Sequence, residues 1–244
     1  MALSYDKIGV DYARLRRPDP RIAARVRAAL GEARTVVNVG AGAGSYEPAD
    51  RTVVAVEPSA RMIAQRPRDA APAVRAAASA LPFADGAFGA SLAILTVHHW
   101  QDKAAGLSEL RRVARDRVVV LTFDPDCRAA WLLDYLPELA ELDAGQMPQM
   151  SAYEAALGPV EITPVPIPHD CLDGFLYAYW RRPQAYLDPR IRKGSSSFWA
   201  LGERAVPGLK RLEADLGSGA WAKRYAALTG LAEIDAGYRL VVAR

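Results

Sequence analysis

The segment TVVNVGAGAGS, residues 35–45, decides the fold of this chain. In it a run of mostly β-branched residues leads directly into Gly40, Gly42 and Gly44. Such a run predicts a buried strand, and the glycines permit a tight turn in which the backbone comes close to a ligand. We therefore expect a strand, a ligand-binding turn and a helix N-terminus whose unpaired N–H groups point at the ligand. Because only eight residues separate Gly44 from Val53, that helix is expected to have at most one or two turns.

Three more apolar runs follow, at residues 52–56, 90–97 and 117–123. An amphipathic helix pattern precedes the first strand near residues 20–30, and another begins at Asp102. Strands that are apolar along almost their whole length, alternating with amphipathic helices, are typical of a parallel sheet covered on both faces. The first half of the chain is therefore predicted to be a doubly wound α/β core.

The second half of the chain has a looser pattern and is rich in aromatic side chains. Ser151 and Glu154 have the spacing of a capping box at a helix start, and the prolines of residues 160–167 indicate an edge strand. A last strand is predicted at residues 238–243. Helices are predicted at residues 129–142, 151–157, 171–182, 188–203, 207–216 and 219–229.

We interpret the aromatic-rich part as a lid over a pocket, with a second small core as the alternative reading. Residues 1–244 are predicted to form one domain. Its core consists of about residues 20–125, 151–168 and 237–244, and its lid of about residues 1–19, 126–150 and 169–236.

Composition and charge narrow the class of partner. The chain has 31 Lys and Arg against 28 Asp and Glu, a net charge of +3, and charges of both signs are spread along it, which does not favour nucleic-acid binding. No apolar stretch approaches the length needed to span a bilayer. Cys127 and Cys171 are isolated, so neither a disulfide framework nor a metal site is predicted. We expect a cytoplasmic monomer or homodimer that acts on a small molecule.

Glu57 strengthens the case for a nucleotide-like ligand. It lies 17 residues after Gly40, at the end of the second predicted strand, where a carboxylate can accept both hydroxyls of a ribose. The dinucleotide fingerprint G-x-G-x-x-G would place a glycine where this chain has Ser45. The chain therefore matches the dinucleotide fingerprint only in part, and an NAD(P)-dependent oxidoreductase is kept as an alternative function.

The spacing G-x-G-x-G, together with Glu57, the LPFAD segment at residues 81–85 and the HHW segment at residues 98–100, resembles class I S-adenosylmethionine-dependent methyltransferases. It is most similar to the small-molecule branch that includes ubiquinone and trans-aconitate methyltransferases. The resemblance runs from Tyr5 to about Pro125 and resumes in the final strand. It implies a Rossmann-like, doubly wound, mostly parallel seven-stranded sheet with a helical lid. It also implies S-adenosylmethionine as cofactor and methyl transfer to an O, N or C atom of a small, partly apolar molecule.

The same resemblance implies positions for the cofactor. The glycine turn would pass under its methionine part, Glu57 would hold the ribose, and Thr96 would line the sulfonium side. Asn38 and Ala77 replace aspartates that are usual in the family, which leaves open a repurposed, noncatalytic cofactor-binding protein. The cofactor-binding residues implied are Tyr12, Asn38, Gly40, Ala41, Gly42, Glu57, Pro58, Met62, Ala78, Ser79 and Thr96.

His98 and His99 are the predicted catalytic residues. They follow a central strand at the edge where open α/β sheets bind ligands, and a histidine there can accept a proton from a hydroxyl or amine. Because successive strand residues face opposite ways, only one of the two is expected to act. Aromatic and lid positions supply the predicted substrate-binding residues, which are Tyr5, Trp100, Trp131, His169 and Tyr179.

Overall fold

The computed structural model describes residues 15–244, so the predicted site residues Tyr5 and Tyr12 lie outside the described part. Seven strands form one sheet in the order β3-β2-β1-β4-β5-β9-β6, and β7 pairs with β8 separately. The strands are β1 (Thr35–Val39), β2 (Thr52–Val56), β3 (Ala73–Val74), β4 (Phe88–Ile94), β5 (Ala114–Phe123), β6 (Val160–Pro164), β7 (Ile167–Pro168), β8 (Glu233–Ile234) and β9 (Tyr238–Ala243).

The first five strands run parallel, and β9 runs antiparallel to both β5 and β6. The chain passes from β1 to β2 and β3 on one side and returns to β4 and β5 on the other. The carboxyl ends of β1 and β4 therefore flank the point where the strand order reverses, which is where such sheets bind ligands. The predicted doubly wound, mostly parallel sheet of seven strands is confirmed, as is the edge position of β6.

Two apolar layers cover the sheet because its strands are apolar on both faces. Val36 and Leu92 pack with the helix of residues 20–29, while Val37 packs on the opposite face with the helices of residues 103–113 and 150–157. The α-helices are α1 (Pro20–Ala29), α2 (Ala60–Ala64), α3 (Lys103–Val113), α4 (Glu138–Gln146), α5 (Met150–Leu157), α6 (Pro189–Arg192), α7 (Ser196–Leu201), α8 (Val206–Ser218) and α9 (Ala220–Arg224).

No helix connects β1 to β2. Residues 40–51 form turns only, so the expected short helix after the glycine turn is wrong. Eleven residues lie between Gly40 and Thr52, and this length must both turn the chain and return it to the start of β2. The glycine turn therefore does not lead into a helix, and other groups must hold it in place.

The second half contains shorter helices than the sequence predicts. Pro137 separates a 3-10 turn, Trp131–Asp134, from α4, so residues 129–142 are not one helix. Ser151 lies inside α5, whose N-cap is Gln149 without a side-chain hydrogen bond, so the predicted capping box is wrong. Within residues 15–244, no helix is long and apolar enough to cross a membrane.

Candidate functional site

A cavity of about 290 Å³ opens at the carboxyl ends of β1, β2 and β4. We call it the glycine-loop cavity, because the loop that follows β1 forms its floor. Nine of the predicted cofactor-binding residues line it. They are Asn38, Gly40, Ala41, Gly42, Glu57, Pro58, Met62, Ala78 and Thr96.

Other lining residues differ from the prediction. Ser79 is exposed and does not line the cavity, whereas Trp100, predicted to bind substrate, does. The sequence did not single out several further wall residues. Two of them lie within the glycine loop itself and Ser59 caps α2, so their neighbourhood was visible in the sequence; Arg16 carried no such signal. The wall residues not predicted are Arg16, Ala43, Ser45, Ser59, Ile94 and Leu95.

The backbone of the glycine loop is bound to the protein itself. The N–H groups of Gly40 and Ala41 donate to the Val56 carbonyl at 2.8 and 3.0 Å, and the Gly42 N–H donates to Glu57 at 2.9 Å. The prediction that these groups are unpaired and aimed at a ligand is therefore wrong. Gly40 is required for another reason, since its φ is +69° and a Cβ there would lie 2.1 Å from Thr96 Oγ1.

Glu57 is held rigidly at the cavity wall. Its two carboxylate oxygens accept N–H hydrogen bonds from Ser59 and Gly42, both at 2.9 Å, and only 7% of the residue is exposed. A carboxylate offers about four lone-pair sites, so it can accept hydroxyl groups in addition to backbone N–H groups. The carboxylate is therefore oriented in advance to receive a pair of hydroxyl groups.

A buried ion pair supports the loop in the absence of a helix. Arg66 contacts Glu47 at 2.8 Å, and the two side chains are 5% and 10% exposed. Arg66 also donates to the carbonyls of Gly42 and Ala71, at 3.4 and 2.9 Å. Glu47 in turn accepts from Asn38 Nδ2 at 3.1 Å, which fixes the orientation of that amide. Asn38 Oδ1 is left buried without a hydrogen-bond partner in the described part of the chain, and it can accept from an amino group of a ligand.

The chain bends sharply where β4 ends. Leu95 has a φ of +49°, a conformation that costs a side-chain-bearing residue energy and is found preferentially at functional sites. A 3-10 turn, Val97–His99, follows. Since this segment is not a strand, the expectation that His98 and His99 face opposite ways is wrong: their ring centroids are 3.8 Å apart.

Both histidines are neutral near pH 7. Burial, followed by the charges of Arg16 and Lys103, lowers the pKa of His99 to about 4. Burial and the neighbouring His99 hold the pKa of His98 well below its usual range. Each neutral ring has one acceptor nitrogen. A base with so low a pKa has little driving force to take a proton from a hydroxyl or amine.

A second, smaller cavity adjoins the first. We call it the lid chamber; its free volume is about 50 Å³, and it shares Arg16, Leu95 and His99 with the glycine-loop cavity. Its wall comes from the ends of β4 and β5, the start of β9, and the segments after residue 140. Its other lining residues are His98, Phe123, Asp143, Met147, Phe175, Leu176, Tyr177, Gly194, Ser195, Ser196, Ser197 and Tyr238.

Asp143 is the buried acid of the lid chamber, and no sequence pattern predicts it. It lies on α4 with 4% of its surface exposed. Burial raises the pKa of its carboxyl to about 7, although the charge of Arg128 and the hydroxyl of Tyr177 oppose the shift. Nothing in the pattern of residues 138–146 distinguishes this acid from Glu141, which is exposed on the same helix.

Hydrogen bonds join the segment before α1 and the β1–β2 loop to residues 172 and 173. Asp173, fully buried, accepts from Arg16 Nε at 2.6 Å and from the Tyr46 hydroxyl at 2.9 Å. Asp19 accepts the Leu172 N–H at 3.1 Å. Although burial opposes the shift, the hydrogen bonds to Asp19 lower the pKa of its carboxyl to about 2. These contacts connect three separate parts of the chain: the segment before α1, the β1–β2 loop and residues 172–173.

Three predicted substrate residues lie away from both cavities. Trp131 is buried among Trp221, Tyr225 and other rings, and its Nε1 donates to the Trp180 carbonyl at 2.7 Å. His169 and Tyr179 also line neither cavity. Trp131 is therefore a residue of the aromatic core and not of a cavity wall. In the described residues, no group of three or more His, Cys, Asp or Glu is placed to hold a metal ion.

Comparison with known proteins shows what this chain is similar to. The methyltransferase domain family matches residues 37–122. A crystal structure from Anabaena variabilis ATCC 29413, assigned as a methyltransferase from an antibiotic biosynthesis pathway, is 34% identical; the match covers 94% of this chain and 99% of that one, with a TM-score of 0.85. No curated protein matches the chain.

Two more distant structures share the fold. Geranyl diphosphate C-methyltransferase from Streptomyces coelicolor A3(2), solved with Mg²⁺, geranyl diphosphate and S-adenosyl-L-homocysteine, is 17% identical, with a TM-score of 0.54 over 92% of this chain and 78% of its own. The [4+2]-cyclase SpnF is also 17% identical, with a TM-score of 0.51 over 92% of this chain and 80% of its own. The fold therefore serves more than one reaction.

The cavity fits S-adenosylmethionine on its own chemistry. It offers a fixed carboxylate for the ribose at Glu57, a buried amide oxygen without a partner at Asn38, and apolar contacts at Pro58 and Met62. The match to the methyltransferase domain family and the similarity to the structure from Anabaena variabilis do not support the oxidoreductase alternative. With the family match and the relative from Anabaena variabilis, these features show that the chain belongs to the class I S-adenosylmethionine-dependent methyltransferases.

Proposed function

We propose that this methyltransferase transfers the methyl group to an O, N or C atom of a small, partly apolar molecule. The observation that carries the proposal is the lid chamber, which adjoins the glycine-loop cavity through Arg16, Leu95 and His99. Its walls combine aromatic and aliphatic side chains with polar groups that can orient a bound molecule.

Each side of the glycine-loop cavity would hold one part of the cofactor. Glu57 would accept the ribose hydroxyls, and Asn38 Oδ1 would accept from the amino group of the methionine part. Pro58 and Met62 would pack on the adenine. The bound cofactor supplies a methyl group that is already activated by the sulfonium charge, so the protein contributes alignment of the acceptor and exclusion of water.

His98 and His99 stay predicted catalytic residues. Because both are neutral near pH 7, they would accept hydrogen bonds at the reacting end more readily than protons. Replacement His98→Ala tests the base role, since loss of a base changes the pH dependence of kcat. A variant that keeps the full rate at every pH would end that assignment.

Calorimetric titration with S-adenosylhomocysteine, NAD and 5′-methylthioadenosine tests the cofactor side of the proposal. We expect S-adenosylhomocysteine to bind and NAD not to bind. 5′-Methylthioadenosine, which lacks the amino-acid part, should bind more weakly than S-adenosylhomocysteine. The variant Asn38→Ala should bind S-adenosylhomocysteine more weakly than the wild type does, whereas its affinity for 5′-methylthioadenosine should not change. Mass spectrometry of a panel of phenols, amines and activated carbon acids then tests transfer; tight cofactor binding with no methylated product would favour a repurposed protein.

The organisation of the chain is part of the same proposal. We infer one domain over residues 1–244, in which the core of about residues 20–125, 151–168 and 237–244 binds the cofactor. The lid, about residues 1–19, 126–150 and 169–236, encloses the acceptor. A monomer or homodimer is expected, and light scattering of the full chain during gel filtration measures which of the two forms.

A further inference from the structure

Asp143 is a buried carboxyl on the wall of the lid chamber. It is 4% exposed, it forms no ion pair within residues 15–244, and its charged form is favoured by the charge of Arg128 and by the hydroxyl of Tyr177. A buried carboxylate is costly unless a partner satisfies it. A perturbed acid on the wall of a cavity, rather than inside a packed core, indicates a partner that arrives with a ligand.

The hydroxyl of Tyr177 has the same property. It is buried and has no hydrogen-bond partner of normal geometry in the described structure, although it lies close enough to Asp143 to favour the charged form of that carboxyl. Burial holds the pKa of Tyr177 well above its usual range, so the hydroxyl keeps its proton and remains a donor beside the Asp143 carboxyl. The chamber thus presents one strong acceptor and one donor side by side.

The remaining wall of the chamber combines aromatic and aliphatic side chains with Arg16, two histidines and three serines. Phe123 lies 5.4 Å from Tyr238 and 5.4 Å from Tyr177, measured between ring centroids, and Phe175 lies 4.6 Å from Tyr238. Such rings favour contact with another flat, apolar group. The free volume of about 50 Å³ holds about four waters. The chamber therefore suits the functional group of an acceptor, whose body extends through its mouth.

We propose that Asp143 binds an acidic O–H or N–H of the methyl acceptor and takes its proton during transfer, which makes the acceptor class flat, partly apolar hydroxyl or amine compounds. This inference rests on the proposed function. The acceptor heteroatom gives a lone pair to the new bond with the methyl carbon, and the carbon–sulfur bond breaks with its electron pair left on sulfur. The acceptor proton moves to the Asp143 carboxylate and later to solvent. The products are the methylated acceptor and S-adenosylhomocysteine.

Asp143 is better suited to this role than the neighbouring histidines. A carboxyl that titrates near pH 7 is largely ionised at pH 8 and can still hold a proton after transfer. The other titratable groups around the chamber keep one state in this range: the guanidinium groups of Arg16 and Arg128 belong to a side chain that does not deprotonate in proteins, Tyr177 and Tyr238 stay protonated, and His98 and His99 stay neutral. A change in ligand affinity between pH 6 and pH 8 therefore reports on Asp143.

The test uses three probes of the same shape on the full chain saturated with S-adenosylhomocysteine. Phenol offers an O–H, aniline an N–H, and toluene neither, and NMR titration gives each dissociation constant. We expect phenol or aniline to bind at least about tenfold more tightly than toluene, because hydrogen bonds to a charged group are strong. Whichever donor is preferred identifies the acceptor chemistry. Asp143→Asn should reduce the preference by about tenfold, and Glu141→Gln, on the exposed side of the same helix, should not change it.

The pH dependence supplies a second reading. In the wild type, the affinity for the preferred donor should fall by about tenfold from pH 8 to pH 6, because the ionised fraction of Asp143 falls by that factor; in Asp143→Asn it should not change. Equal binding of the three probes, no binding of any, or a donor preference that survives Asp143→Asn overturns the inference. Failure of the chain to bind S-adenosylhomocysteine overturns the proposed function instead, and the calorimetric titration detects that separately.

Discussion

A buried acid that titrates near neutral pH makes the stability of the fold depend on pH in a defined way. The pKa of Asp143 is about 7 in the folded protein, against 3.8 for an unperturbed aspartate. Because the folded value is the higher one, the folded state binds more protons between these two pH values. The stability that this group contributes is fully present below pH 3.8 and is lost as the pH rises to 7. The total loss is about 4 kcal/mol, a large fraction of the stability of an ordinary domain.

Replacement Asp143→Asn isolates this effect. The pKa of His99 is lowered to about 4, so that histidine acts in the opposite sense: its contribution is present above pH 6.5 and lost as the pH falls. Both proteins carry this contribution, and it cancels in the difference between them. We therefore expect the free energy of unfolding of the variant, relative to that of the wild type, to rise by about 3 kcal/mol from pH 5 to pH 8.

Urea unfolding followed by tryptophan fluorescence, at pH values from 5 to 8, measures the difference. Glu141→Gln is the matched control, because Glu141 is exposed on the same helix, and its difference from the wild type should not vary with pH. A difference between Asp143→Asn and the wild type that is constant over this range would refute the reasoning. It would mean that the carboxyl is already neutralised or hydrated by a group that the geometry does not show.

Two further predictions concern the glycine loop. Gly40→Ala should destabilise the protein by about 1–3 kcal/mol more than Gly158→Ala, since both have positive φ but only Gly40 meets Thr96, and thermal unfolding measures this; equal losses would contradict the close contact. Arg66→Met should cost about 3–5 kcal/mol because it leaves Glu47 buried and unpaired. The double variant Arg66→Met/Glu47→Gln should lose less than the sum of the single variants, and strict additivity would show that the pair does not interact.

Much of the core could be predicted because its signals are local. The runs 35–39 and 52–56 are apolar enough to be buried on both faces, and they became β1 and β2 within the same bounds. Glu57 could be placed at the cavity because a residue that ends a parallel strand must lie at the carboxyl edge of the sheet. Nine of the predicted cofactor-binding residues line one cavity for this reason.

Local signals gave the wrong answer where hydrogen bonding is decided at a distance. The glycines predicted a turn correctly, but the sequence could not show that the Gly40 and Ala41 N–H groups donate to Val56 on the neighbouring strand. Nor could the pattern around Trp131 distinguish a wall residue from a ring packed against Trp221, since both are apolar positions on short helical segments.

The sequence by itself therefore determined the long strands of the sheet, the glycine turn, the place of Glu57 at the end of β2 and, through them, the family and its cofactor. The lid chamber was decided only by the tertiary structure, because Phe123, Asp143 and Tyr238 come from distant parts of the chain and meet when β5, α4 and β9 pack. The state of Asp143 depends on that meeting as well. Its pKa is set by removal from water, a property of the packed surroundings that no residue carries in its own type or in its neighbours along the chain.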